Sequence, residues 1–299
     1  MATQPLTASP VDSSVKSTIV RSKTRSQPFL RPTFRILDRL APTLAARLAQ
    51  RLFFTPPRAV LREEEREILD AGRRGTIEHR GDRLAIWRWG EGPRALLVHG
   101  WGGHAGQMTA LVEPLVAAGY EVVAVDLPGH GLSSGDRASV RHFADAIAHV
   151  AQGLGGIDAL IAHSLGSAGS TLALSRGLAV RRAVFFAPPA RFDAIWARFR
   201  GGLGMSAATW TRFQRRAEAW LGLTFAEIAP ADLAPDLRVP LLVIHGTGDR
   251  EVSLQEGELL QRRWPLARLH RAEGLGHLRV LKDAACIDAA RHFLAASQR

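Results

Sequence analysis

Hydrophobic positions along the chain change their period once, near residue 76. Before it, Ile36, Leu37, Leu40, Leu44, Leu48 and Leu52 recur at three- and four-residue steps, the spacing of one helix face. Pro42 interrupts the series and suits the first turn of a second helix. Pro56 and Pro57 close it, because neither continues a helix easily. Residues 60–72 predict a short charged helix. From Thr76 onward the strands begin. Thr76–Arg80 and Arg83–Trp89, with Gly81–Asp82 between them, predict an antiparallel hairpin. Within Arg94–His99, the run Ala95-Leu96-Leu97-Val98 has the continuous apolar character of a strand covered on both faces. Further strands are predicted at Glu121–Asp126, 157–163, Ala179–Phe186, Pro240–His245 and Ala267–Arg271. Helices at about 105–118, 138–153, 167–176, 253–263 and 281–297 alternate with them, and an irregular helical block fills 190–235. This alternation predicts an α/β fold, a parallel sheet with helices on both faces and ligand chemistry at the strands' C-terminal ends.

Charge divides the chain where the pattern does. Residues 1–60 hold ten Lys and Arg against Asp12 and Asp38, so they carry +8 of the net +11 and leave the remainder at +3. The main body is therefore close to balanced, which argues against a nucleic-acid partner, and the basic character belongs to the N-terminal extension. Residues 1–27 are rich in Ser, Thr and Gln, and read as a disordered basic tail. Residues 28–60 read as an amphipathic helical arm, with Arg35, Arg39, Arg47 and Arg51 beside its apolar stripe. Two readings of that arm stand: a helical pair packed on the main domain with snorkelling arginines, or a peripheral contact of residues 33–54 with an anionic membrane. The main domain is expected over 61–299, with a cap insertion at about 188–238. No apolar h-region of a secretory signal and no run of ~18 apolar residues occurs, so a cytoplasmic, at most membrane-peripheral, protein is expected. The single cysteine, Cys286, lies in an apolar stretch and reads as a buried structural thiol.

Candidate chemistry gathers at the predicted strand ends. Ala162-His163-Ser164-Leu165-Gly166 joins a strand to a helix, with small residues two positions either side of the serine. That is the spacing of a nucleophile elbow, although a serine N-cap on an ordinary turn has the same look. His99-Gly100-Trp101-Gly102-Gly103-His104 follows an earlier strand. Its glycines let backbone amides approach a ligand, so the N–H groups of Trp101 and Leu165 are candidate oxyanion donors. Asp126-Leu127-Pro128-Gly129-His130-Gly131 is turn chemistry, with His130 expected to order loops. Asp249, after strand 240–245, is the candidate acid, with Glu251 its nearest competitor. His277, in the glycine-flanked Gly274-Leu275-Gly276-His277, is the candidate general base, since histidine ordinarily titrates near ~6.5. His163 is expected to line the pocket. In the aromatic block 188–238, Trp196 and Trp210 are the candidate substrate contacts.

The order Ser164, Asp249, His277, together with the His99–Gly102, Asp126–Gly131, 162–166, His245–Asp249 and Gly274–His277 motifs, resembles the α/β-hydrolase fold superfamily from about Thr76 onward. Ala162 departs from the glycine usual at that elbow position. The resemblance implies an eight-stranded, mostly parallel sheet with a small helical cap and a Ser164–His277–Asp249 triad. The expected function is a serine hydrolase working through an acyl-enzyme on a small-molecule or lipid ester with an apolar acyl group. No metal or organic cofactor is needed for that chemistry. Thioesters, lactones, peptides, C–C bonds and membrane-surface lipids remain open as substrates, and a non-catalytic ligand-binding member of the fold is the remaining alternative.

Overall fold

A computed structural model describes residues 30–295; the tail read as disordered at 1–27 and the chain's last four residues lie outside them. The elements are α1 (Leu30–Leu40), α2 (Pro42–Phe54), α3 (Glu63–Asp70), β1 (Arg73–His79), β2 (Asp82–Trp89), β3 (Arg94–Val98), α4 (Val112–Ala117), β4 (Glu121–Val125), α5 (Val140–Gly153), β5 (Ala159–His163) and α6 (Leu165–Ser175). They continue as β6 (Arg182–Phe186), α7 (Asp193–Leu203), α8 (Ala207–Leu221), α9 (Pro230–Leu233), β7 (Leu241–Gly246), α10 (Leu254–Arg263), β8 (Ala267–Ala272) and α11 (Ala284–Ala295). The strands form one eight-stranded sheet in the order β1-β2-β4-β3-β5-β6-β7-β8. Pairing is antiparallel at β1–β2 and β2–β4 and parallel throughout the rest.

Side chains along the central strands alternate between two cores, as a two-residue period requires. Leu96, Val98, Val123, Val125, Leu160, Ala162, Ala183, Phe185, Leu241 and Val243 enter one apolar cluster, shared with α5, α6, α8 and the arm. Their neighbours Ala95, Leu97, Val122, Ala124, Ala159, Ile161, Val184, Phe186, Leu242 and Ile244 enter the other, shared with α11. Both faces are therefore covered, which is why these strands read as unbroken apolar runs.

Several boundaries differ from the sequence pattern by a few residues, and three of the differences have a visible local cause. The β1–β2 turn is Arg80–Gly81, not Gly81–Asp82, because both central residues take positive φ (52° and 85°) and glycine serves best at the second. The segment expected as a helix at 105–118 opens with a 3-10 turn over Ala105–Leu111, where Gly106 packs too closely on Leu61, His104 and Glu65 for a larger side chain. The closing helix begins at Ala284 because Asp283 Oδ1 accepts the Cys286 N–H at 3.0 Å and caps it.

The arm folds against the helices between β6 and β7, and of its apolar stripe only Leu37 and Leu48 pack in part on the core. Phe34, Ala45, Ala46, Ala49 and Phe54 are the buried positions, whereas Ile36, Leu40, Leu44 and Leu52 are exposed. Small alanines let α2 approach α8 closely. Phe54 packs on Trp220 with ring centres 4.6 Å apart. Polar contacts fix the register: buried Asp38 accepts the Ser206 N–H (3.1 Å) and hydroxyl (3.0 Å), and Gln50 Nε2 donates to the Arg216 carbonyl (3.2 Å). Ser206 is itself the N-cap of α8, accepting from Thr209 N at 3.2 Å. Asp38→Ala strips both acceptors from that junction and is expected to cost about 1–2 kcal/mol, a thermal midpoint several degrees below wild type. An unchanged midpoint contradicts the latch.

Candidate active site

The site begins at a backbone strain. Ser164, between β5 and α6, sits at φ 49°, ψ −125°, a region that costs a non-glycine residue about 1–3 kcal/mol. Its N–H donates to the Phe186 carbonyl at 2.9 Å, so the neighbouring strand holds the turn. The small flanks follow from the same geometry. A Cβ on Gly166 would lie 2.3 Å from the His99 carbonyl oxygen, and Ala162 is wholly buried in β5. One on Gly100 would lie 2.9 Å from the Ser164 Cβ.

Three strand ends converge there. Ser164 follows β5, Asp249 lies in the turn after β7, and His277 lies in the loop after β8. The last two segments are joined directly: Gly248 N–H donates to the Leu275 carbonyl (3.0 Å) and Gly274 N–H to Thr247 Oγ1 (2.8 Å). His277 Nε2 stands 2.9 Å from Ser164 Oγ, and its Nδ1 stands 2.7 Å from Asp249 Oδ2. With Nδ1–H donated to the carboxylate, Nε2 is left as an acceptor for the serine hydroxyl. Asp249 Oδ1 accepts the N–H groups of Glu251 (2.8 Å) and Val252 (3.0 Å). Burial opposes ionisation of Asp249, but hydrogen bonds from His245 and His277 outweigh it and hold the carboxyl well below the usual range. Glu251, the competing acid, is exposed and contributes its backbone N–H to Asp249.

The glycine-rich loop after β3 is held by two neutral histidines. Leu127 N–H donates to His99 Nε2 (3.0 Å), and His99 Nδ1–H donates to the Gly100 carbonyl (2.7 Å). Gly102 N–H donates to His130 Nε2 (2.9 Å), and His130 Nδ1–H donates to the Pro128 carbonyl (2.9 Å). Burial pushes His130 down to about 4 and His99 well below its ordinary value, which preserves the acceptor nitrogens. The loop-ordering role expected of His130 is therefore visible as one hydrogen bond to this loop. Asp126 ties down the following segment, accepting from Ala105 N and Leu132 N at 2.7 Å each. Its burial raises the carboxyl to about 6 against the pull of those two bonds. His163, expected at the pocket, lines it and donates Nε2–H to the His277 carbonyl at 3.0 Å. Burial, then the neighbouring His277, push His163 down to about 3.

Above Ser164 opens a cavity of about 530 Å³, within the usual range for small-molecule sites. Ser164, Leu165, Trp101, His163 and His277 line its base. Phe192, Ile195, Trp196, Phe199, Leu221, Phe225 and Ile228 line it from the segment between β6 and β7. Trp196 stands in that wall, stacked on Phe225 with ring centres 4.4 Å apart. Trp210 does not line the cavity: it lies on α8 with its ring centre 5.1 Å from that of buried Phe213. Sequence reasoning missed Leu52, Phe53 and Phe54, which bring α2 into the wall. The available signal was an aromatic pair closing an otherwise Ala-, Leu- and Arg-rich helix just before Pro56. Cys286 is a buried thiol pushed up to about 12, first by burial. Among the described residues no cluster of His, Cys, Asp and Glu is arranged to hold a metal ion.

Residues 95–289 match a family model described as "Alpha/beta hydrolase family". Among curated proteins, the chain is similar to a pimeloyl-(acyl-carrier protein) methyl ester esterase of Xanthomonas campestris, 46% identical over 61 residues. That match takes in 20% of this chain and 24% of the relative, so the chain spans about a quarter of the length of the curated relatives it matches. Among solved structures, an esterase from Pyrococcus furiosus superposes with a TM-score of 0.60 at 19% identity, covering 81% of this chain and 97% of that one. A thermophilic esterase from Thermogutta terrifontis gives 0.58 at 22% identity over 75% and 98%. At those identities the likeness is one of fold.

Two outcomes follow from the site's packing. Gly166→Ala forces α6 away from β3 and is expected to destabilise the protein by roughly 1–3 kcal/mol, read as a lower urea midpoint; a wild-type midpoint contradicts the close approach. The second concerns pH. His99, His130 and His163 bind protons less readily folded than unfolded, so stability falls as pH drops from 6.5 through about 4. Asp126, raised to about 6, works in the opposite direction over part of that window but is outnumbered. The urea midpoint should fall with pH there, and more shallowly in His130→Asn. A midpoint independent of pH contradicts the buried neutral imidazoles.

Proposed function

The chain belongs to the alpha/beta hydrolase family, and from that premise we propose that it hydrolyses a carboxylic ester with an apolar acyl group through an acyl-enzyme on Ser164. The observation that carries the proposal is the position of His277, within hydrogen-bond reach of both Ser164 Oγ and Asp249 Oδ2 at the base of an apolar cavity. His277 Nε2 takes the Ser164 proton as Oγ attacks the ester carbonyl. The backbone N–H groups of Trp101 and Leu165 receive the developing oxyanion. Leu165 is the first residue of α6, where helical N–H groups have no intrahelical acceptor. Each such donor is typically worth about 3–4 kcal/mol of barrier lowering. His277 then passes its proton to the departing alcohol oxygen. Water, deprotonated by the same nitrogen, attacks the acyl-enzyme, releasing the acid and restoring Ser164. Asp249 fixes the imidazole tautomer and balances its positive charge while the proton is held.

The aromatic wall supports an apolar acyl group, and a similar curated protein is named for a methyl ester, which supports an oxygen ester as the bond cleaved. Kinetics with a p-nitrophenyl ester series of increasing chain length test the proposal. Ser164→Ala is expected to lower kcat by about 10⁴-fold or more, and Asp249→Asn by about 10⁴-fold through loss of the correct tautomer. Glu251→Ala is expected to keep most of the activity; the reverse order for the two acids moves the role to Glu251. Trp196→Ala, which opens the cavity wall, is expected to shift the preferred acyl chain to a longer one. An unchanged preference removes Trp196 from acyl recognition.

A further inference from the structure

One face of the arm is committed to the cap through Phe34, Asp38 and the α2 alanines, and none of the described residues covers the opposite face. Ile36, Leu40 and Leu44 stand there 60%, 80% and 51% exposed. Single exposed apolar residues need no explanation, but four of the nine large ones among the described residues, Leu52 included, are concentrated on α1 and α2. Arg35, Arg39, Arg47 and Arg51 are exposed on the same two helices. The carboxylate of this segment, Asp38, is buried against Ser206 and neutralises none of that surface. The arm also reaches the cavity: Leu52, like Leu278, is exposed and lines it.

We propose that this face docks the protein on an anionic lipid surface. Ile36, Leu40 and Leu44 enter the boundary between headgroups and acyl chains, the arginines meet the lipid phosphates, and the cavity rim at Leu52 faces the bilayer. Alternating apolar and arginine positions on a helix are the composition of an element that lies in the interface plane. Each arginine near an anionic leaflet adds roughly a fivefold gain in partition. A second copy of the chain fits the face poorly, because it sets arginines against arginines with no exposed carboxylate between them. Nor does the arm span: among the described residues no helix is long and apolar enough to cross a membrane. The proposal goes beyond the hydrolase reading and is measured without turnover.

Flotation of the full chain with vesicles of phosphatidylcholine alone, or of phosphatidylcholine mixed with phosphatidylglycerol, tests it. Wild type is expected to float with the anionic vesicles at low salt and not with the neutral ones. Ile36→Asp with Leu40→Asp is expected to cut that partition by about tenfold or more while hydrolysis of a water-soluble ester without vesicles is unchanged. If that pair lowers the thermal midpoint, Ile36→Ser with Leu40→Ser replaces it. No flotation of wild type with anionic vesicles overturns the proposal. So does equal flotation of wild type and variant, which assigns binding to the basic residues before the arm. A wild-type dimer in light scattering that the variant turns into a monomer overturns it too, in favour of a self-interface. Lost ester hydrolysis with flotation intact counts against the hydrolase reading alone.

Discussion

The constraint on which the site depends is the approach of α6 to the end of β3, where Gly166 lies against the His99 carbonyl with room for hydrogen only. It places the Ser164 backbone in a positive-φ conformation that the surrounding sheet must stabilise. It also brings the first N–H groups of α6 beside the loop that follows β3, so that one packing contact positions the hydroxyl and the two proposed oxyanion donors together. Strain of this kind persists only where neighbours over-determine it. Here the Phe186 carbonyl, the buried Ala162 and the histidine-held loop at Gly100–Gly103 do so.

Around that contact the electrostatics are arranged with one stable negative charge. Asp249 has no exposed side-chain surface, yet hydrogen bonds from His245, His277 and the Glu251 and Val252 amides keep it ionised. The nearby imidazoles of His99, His130 and His163 are kept neutral by burial; His99 and His130 spend both nitrogens on backbone groups, and His163 its Nε2. A proton at His277 therefore meets the Asp249 carboxylate directly, beside imidazoles that stay neutral. Low dielectric strengthens that pairing and makes any misplaced charge costly, which is why the loops carrying these residues are cross-bonded to each other.

Much of this was legible because it is enforced locally. The parallel strands are apolar on both faces, so β3 to β7 stand out as runs, and the elbow, acid turn and histidine loop follow strand ends in a fixed order. Glycine at 166, 248 and 274 marks close approaches or turns that the structure then contains. The arm was harder to read. Its Leu/Ile stripe is stronger than its alanine face, yet the alanines make the closest contact, because close helix packing rewards small side chains, while Leu37 and Leu48 pack only in part and Ile36, Leu40 and Leu44 stay exposed among the described residues. Phe53 and Phe54 reach the cavity through contacts more than a hundred residues away in sequence, which no local period encodes. Trp196 and Trp210 look alike in the sequence, yet Trp196 stands in the wall while Trp210 packs on Phe213 and does not line the cavity.

The central claim is that Ser164 is the nucleophile made reactive by this arrangement. Reaction of the folded protein with an alkyl fluorophosphonate, followed by peptide mass spectrometry, addresses it most directly. The account predicts a single phosphonyl adduct on the peptide bearing Ser164. An adduct on another serine, or none on the folded protein, contradicts it.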